Sequence, residues 1–282
     1  MDAPLSFGWQ RDLPDIRDLD EDSNQISSIL KKSQPLKAAV KALPLSVDLR
    51  AWCSPIEDQG NLGSCTAHAA VGMYEYYERR AYGKHLDASR LFVYKVTRNL
   101  EGWVGDTGAY LRDTMKALVL FGLPPEKYWP YDISKFDIEP TAFLYSFAES
   151  YKALSYYRLD PTGATTTNVL KAIKTNLAAG LPSMFGFTVY SSIPSAGDGK
   201  GEIPFPVKGD KVLGGHAILA VGFDDKKKIG SSTGAILIRN SWGTGWGVSG
   251  YGWLPYDYVL KGLAVDWWTM VKADFIDTDL FK

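Results

Sequence analysis

Residues 58–64 read DQGNLGS, a stretch whose two glycines and asparagine let the backbone turn sharply, and the next residue is Cys65. From there Ala67, Ala69, Ala70, Met73, Tyr74 and Tyr77 recur at helical spacing while Glu75, Glu78 and Arg79 share another face, which predicts one long helix over 64–82. A cysteine is thus delivered to the first turn of a helix, where unpaired backbone N–H groups and the helix dipole favour negative charge. That placement constrains the chain more than any other feature, because it pulls a thiol toward the thiolate, the form that attacks carbonyl carbon.

Helical periodicity continues over 86–99 and 110–121, the latter closed by Gly122 and the Pro124–Pro125 pair. The pattern then changes: 183–190, 216–223, 235–240 and 264–273 are short apolar or aromatic runs between glycine-rich or charged turns, and read as strands. An α+β fold is expected, with 46–150 mainly helical and 151–282 mainly β. Lys226, Lys227 and Lys228 read as a solvated turn. Residues 1–45, an acidic DLPDIRDLDED followed by ILKKSQPLKAAVKAL, look like an extension with short helical runs, either an unfolded tail or a segment that covers a cleft.

Composition narrows the function classes. The 31 basic and 32 acidic residues nearly cancel, so no global field draws in nucleic acid or an anionic membrane. Residues 1–30 hold no apolar run of signal-peptide or membrane-span length, and the chain reads as soluble and cytoplasmic. Two cysteines, Cys53 and Cys65, are too few for a disulfide framework; both are expected free, in a reducing compartment.

A thiol nucleophile needs a base, and there are three histidines. His216 lies in GGHAILAVGF, where glycines allow close backbone approach and an apolar strand anchors the ring. His85 sits in a turn context beside Gly83 and Lys84. His68, three residues past Cys65, could face the same side of the helix, but two ligands do not close a zinc site and no other cysteine stands at finger spacing. No metal and no cofactor are expected, and His68 reads as a helix-packing residue.

The third element is RNSWGTGWG, an apolar strand ending at Arg239, then Asn240, Ser241, Trp242 and a glycine-rich turn. QGNLGSC, GGHA and NSWGTGWG, in that order, resemble the papain family of cysteine peptidases, and the likeness covers most of 46–273. The resemblance implies a papain-like fold of two subdomains with a cleft between them, and a cysteine peptidase acting on peptides or proteins. It makes Cys65 the nucleophile, His216 the base and acid, Asn240 the residue that orients the imidazole, and Gln59 an oxyanion donor beside the Cys65 amide. Trp242 would shield the Asn240–His216 bond. Gly108 would pair with substrate backbone, and Tyr110, Leu111, Gly186 and Ala217 would line the pocket for the second residue before the cleaved bond. Residues 1–45 would be a short inhibitory pro-segment of a zymogen, with 46–282 the peptidase domain.

Departures from the family pattern are Leu62 where a Cys is usual, Thr66 where a Trp is usual, and no Cys near Asp106. The paired loss of half-cystines fits a disulfide dispensed with. Residues 191–211 and 224–234 read as loops longer than in compact members. Rival classes are a silent homologue that binds peptides in the same cleft and an acyl transferase of transglutaminase type; the intact set Cys65, His216, Asn240 and Gln59 speaks against the first.

Overall fold

The computed structural model describes residues 6–152, 155–194 and 198–271. In chain order the elements are β1 (Trp9–Gln10), α1 (Asn24–Leu30), α2 (Gln34–Lys41), β2 (Ser46–Asp48), α3 (Cys65–Tyr82), α4 (Arg90–Glu101), β3 (Ala109–Tyr110), α5 (Leu111–Leu120) and α6 (Ala142–Ala148). Then come β4 (Ser155–Arg158), α7 (Thr166–Ala178), β5 (Ser183–Tyr190), β6 (Val212–Ile229), β7 (Ser232–Arg239), β8 (Tyr251–Pro255), α8 (Tyr256–Leu260) and β9 (Ala264–Val271). The expected division into a helical and a β half holds.

Helix α3 starts on Cys65 and ends at Gly83, whose φ of 71° is the left-handed cap that glycine adopts without strain. It is buried along most of its length, including Glu75, which the helical spacing puts on another face from the apolar residues. Glu75 tolerates burial because Arg90 Nη2 reaches both its oxygens at 3.2 Å and Ala88 N donates to it at 3.1 Å. The same contacts shorten the next helix. Residues 86–88 are held by Glu78 and Glu75, and α4 begins only after Ser89, whose hydroxyl caps Phe92 N at 3.2 Å.

Seven strands form one sheet in the order β4-β9-β5-β6-β7-β8, with β2 added to β6, and each of these pairings is antiparallel. The expected loop at 224–234 is instead the far end of the β6–β7 hairpin. Lys228 pairs with Thr233 and Ile229 with Ser232, so the three lysines lie on a strand and the turn is carried by Gly230 at φ 57°. The last strand is seen to Val271; residues 272–273, expected to complete it, lie outside the described residues.

The start of the chain is folded onto the body. β1 pairs in parallel with β3, with Trp9 opposite Ala109 and Gln10 opposite Tyr110, while α1 lies by β4 and α2 along α7. The described part of this region is packed against the body of the chain. Residues 6–12 form a strap between the helical half and the sheet.

Candidate active site

The glycine-rich turn places Cys65 on the first turn of α3 with its side chain against β6, where Ala217 N donates to Sγ at 3.4 Å. β6 carries His216, and β7 ends at Arg239, immediately before Asn240. His216 Nε2 lies 2.8 Å from Asn240 Oδ1. That oxygen also accepts from Ser241 N at 2.8 Å, which fixes it as an acceptor, so the ring proton is on Nε2 and Nδ1 is the basic atom. His216 Nδ1 is buried and has no hydrogen-bond partner among the described residues. Trp242 stacks on the imidazole with centroids 4.3 Å apart and planes 17° apart.

Gln59 is fully buried, its Oε1 taking a bond from Ser241 Oγ at 2.6 Å and its Nε2 donating to Leu62 O at 2.9 Å and Ser6 O at 3.3 Å. The expected oxyanion donor is therefore engaged by a strap carbonyl. Gly8 of the strap lies close enough to Cys65 for its backbone amide to favour the thiolate. Phe7 meets His216 and Trp242 edge-on at 6.3 and 6.2 Å. Under this cover burial pushes the Cys65 thiol up to about 11, against the pull of the Ala217 and Gly8 amides, and drives His216 down to about 4 despite its bond to Asn240. Both groups are neutral in the covered site.

The expected substrate-binding residues are distributed along the strap. The strap's Gly8 carbonyl accepts from Ala109 N at 2.8 Å, whereas Gly108 N donates to Tyr94 OH at 3.1 Å. Gly108 allows the approach instead, since a Cβ there would come within 2.1 Å of Gly8 O. Trp9 lies over Gly186 and Gly215, where a Cβ would come within 2.0 and 2.6 Å of its ring. Ala217 pairs with Gly186 across the sheet. Tyr110 sets its ring against Trp103, centroids 5.2 Å apart, and Leu111 is buried at the start of α5.

Sequence reading passed over several contributors. Ser241 holds Gln59. Tyr131 OH gives to Gln59 O at 3.0 Å and meets Ser64 Oγ at 2.5 Å, bracing the turn before the nucleophile. Asp106 accepts from Gly63 N at 3.0 Å and Tyr94 OH at 2.5 Å, tying that turn to the loop before β3 where the family's disulfide is absent. Asp106 was noted only as a place lacking Cys, and a carboxylate bridging loops leaves no periodic signal. His68 sits behind the thiol, Nδ1 3.1 Å from Ser64 O, and burial drives it down to about 3. Cys53 and Cys65 are both free. Among the described residues no group of three or more His, Cys, Asp or Glu is placed to hold a metal, and no helix is long and apolar enough to cross a membrane.

A thiol at a helix start, flanked by an imidazole that an amide oxygen orients, is the equipment of thiol-dependent acyl chemistry. Comparison with known proteins makes the class specific. The family described as Papain family cysteine protease matches residues 43–261. An uncharacterized peptidase C1-like protein of Acanthamoeba polyphaga mimivirus is 34% identical over 278 residues, 95% of this chain and 87% of that one. Cathepsin K of Gallus gallus is 31% identical over 212 residues, 74% of this chain and 58% of its own length. The crystal structure of Xylellain, a cysteine protease from Xylella fastidiosa, superposes with a TM-score of 0.76 at 34% identity, covering 96% of this chain and 98% of that one. The chain belongs to the papain family of cysteine proteases and is a cysteine-type peptidase with the papain-like α+β fold.

Proposed function

We propose that the chain hydrolyses peptide bonds with Cys65 as nucleophile and His216 as base and acid, and that residues 6–12 hold it inactive until they leave the cleft. The bond between Asn240 Oδ1 and His216 Nε2 carries the reading, because it leaves Nδ1 as the basic atom on the residue next to the amide that touches Sγ. With the strap gone, water returns to the cleft and the burial that keeps both groups neutral is relieved. The proton then passes from Sγ to Nδ1, with the helix N-terminus favouring the thiolate.

The Cys65 sulphur attacks the scissile carbonyl, and the oxygen that gains charge receives hydrogen bonds from Gln59 Nε2 and the Cys65 amide. His216 passes its proton to the leaving amine as the C–N bond breaks, then takes one from a water that attacks the thioester. The acid product leaves and the thiolate is restored. While the strap is in place the Gly8 amide lies near the sulphur and the Ser6 carbonyl draws on the oxyanion donor.

The test is alkylation by a peptidyl epoxide, mapped by mass spectrometry, on the full chain and on one beginning at Leu13. Rapid modification of Cys65 in the shorter chain alone supports both halves of the reading. Equal rates in the two keep the peptidase and discard the lid, and modification of Cys53, or of neither cysteine, sinks the catalytic assignment.

A further inference from the structure

His68 is buried one turn into α3, and the reaction described above gives it no part. Its Nδ1 lies 3.1 Å from Ser64 O, an oxygen that can only accept, so the ring proton is on Nδ1. Burial keeps this imidazole neutral, and Nε2 is left as a bare acceptor, buried with no hydrogen-bond partner among the described residues. An apolar ring would fill the same space without that cost, so what a histidine adds at this position is the Nδ1–H donor.

The carbonyl that receives it has a particular place in the site. Ser64 C=O and Cys65 N–H are the two ends of one planar peptide group, and the Cys65 amide is one of the two oxyanion donors proposed above. Ser64 O already accepts the helical bond from His68 N at 3.1 Å. A second donor on that oxygen fixes the tilt of the plane and draws electron density away from the N–H, which strengthens the donor at the other end.

The other oxyanion residue is reached from the same point. His68 Nδ1 is also 3.3 Å from Ser64 Oγ, and Ser64 Oγ is 2.5 Å from Tyr131 OH. Tyr131 gives its own proton to Gln59 O at 3.0 Å, so Ser64 is the donor in the bond between the two hydroxyls. The donors therefore run one way, from His68 to Ser64, from Ser64 to Tyr131 and from Tyr131 to Gln59. The rings at the two ends of the serine meet edge-on, His68 and Tyr131 centroids 4.9 Å apart.

We propose that His68 and Tyr131 are positioning residues of the oxyanion hole, setting from behind the peptide group of the Cys65 amide and the backbone of Gln59. The inference rests on the peptidase reading above, and the experiment separates the two. The protein is the full chain carrying Trp9→Ala, which removes the strap's largest side chain. Two rates are compared in it with and without a second change, His68→Phe. One is kcat on a peptide amide, which builds charge on a carbonyl oxygen. The other is alkylation of Cys65 by iodoacetamide, which the sulphur attacks at a methylene carbon with loss of iodide and which needs no oxyanion donor.

His68→Phe is expected to lower kcat about tenfold, less than outright loss of a donor, with KM and the alkylation rate unchanged. His68→Asn, which returns an N–H near the place of Nδ1, is expected to recover most of the loss. An unchanged kcat, an equal fall in the alkylation rate, or no recovery in His68→Asn overturns this inference and leaves the peptidase intact. A parent that neither cuts the peptide nor alkylates at Cys65 overturns both. Should His68→Phe not fold, Tyr131→Phe breaks the same chain of donors at its other end and is read by the same split between kcat and alkylation.

Discussion

At the scale of residues, Gln59, proposed above as the oxyanion donor, is positioned by Ser241. Ser241 Oγ gives to Gln59 Oε1 at 2.6 Å, and with that oxygen occupied the Gln59 amide group is held with Nε2 turned to the cleft. Losing an oxyanion donor outright costs about 100- to 1000-fold in rate, so Gln59→Ala in the strap-free enzyme is expected to lower kcat by about that much. Ser241→Ala leaves the donor present but free to turn, and the expected fall in kcat is nearer tenfold with KM unchanged. Ser241→Thr, which keeps the hydroxyl, should restore kcat. Steady-state kinetics on a peptide substrate check this, and a change in KM alone would place Ser241 in substrate binding. Cys65, His216, Asn240 and Gln59 could be singled out in the sequence because the proposed chemistry needs those residue types in distinctive local sequence. Ser241 and Tyr131 were not, since a serine or tyrosine that positions another residue looks like any other.

At the scale of elements, legibility followed the length of the periodic signal. α3 and β5 were bounded closely because many residues repeat one spacing. Glu75 was misjudged because its partner Arg90 is on another helix, and the lysines at 226–228 because the exposed end of a hairpin has no apolar alternation to announce it. β1 and β3 are two residues each, too short for any period, yet their pairing ties the strap to the helical half. Two predictions belong to the strap. Phe7 and Trp9 pack partly buried on the core, so each contributes less than the about 1.5–3 kcal/mol of a fully buried aromatic, with each 1.4 kcal/mol a tenfold population change. Trp9→Ala is therefore expected to speed Cys65 alkylation in the full chain by up to about tenfold, and no acceleration would mean that the cover is held elsewhere. The second concerns pH. Burial, then the neighbouring Asp266, pushes Asp12 up to about 7, against Trp268 Nε1, Arg112 and Arg158, while Asp160, itself raised to about 6 by burial, and Asp18 complete the surrounding charges. Released into water, Asp12 titrates near about 4. A carboxyl raised in the closed form favours closure fully below its free value and loses that contribution as pH rises through about 7. The ratio of alkylation rates, chain beginning at Leu13 over full chain, is expected to fall from pH 5 to pH 8, and Asp12→Asn to flatten it. A ratio that rises with pH would reverse the assignment.

For the whole molecule, what matters is how one strap can hold two halves. Arg158 at the end of β4 reaches Asp18 at 3.1 Å, Asp160 at 2.9 Å and Asp266 at 2.6 Å, with Asp12 at 3.9 Å, while Arg112 on α5 reaches Asp18 at 2.7 Å. Asp18 thus links an arginine of the helical half to one of the sheet, and Asp12, the last residue of the strap, joins the same cluster. Such a cluster is little screened by salt because its groups are largely buried, and removing one partner leaves the others uncompensated. Arg158→Met deprives four carboxylates of a shared cation and is expected to destabilise the full chain by about 3–5 kcal/mol, lowering Tm by about 10 °C. Three of those carboxylates, Asp18, Asp160 and Asp266, remain in a chain beginning at Leu13, which should also lose stability. The difference between the two losses isolates what Arg158 contributes to strap closure, as a double-mutant cycle does. Thermal melts of the four proteins, with Cys65 alkylation rates alongside, test the clamp: a larger fall and a faster alkylation in the full chain support it. Equal falls with alkylation unchanged would make Arg158 a brace of the sheet alone, and the strap would then depend on Phe7, Trp9 and the β3 pairing.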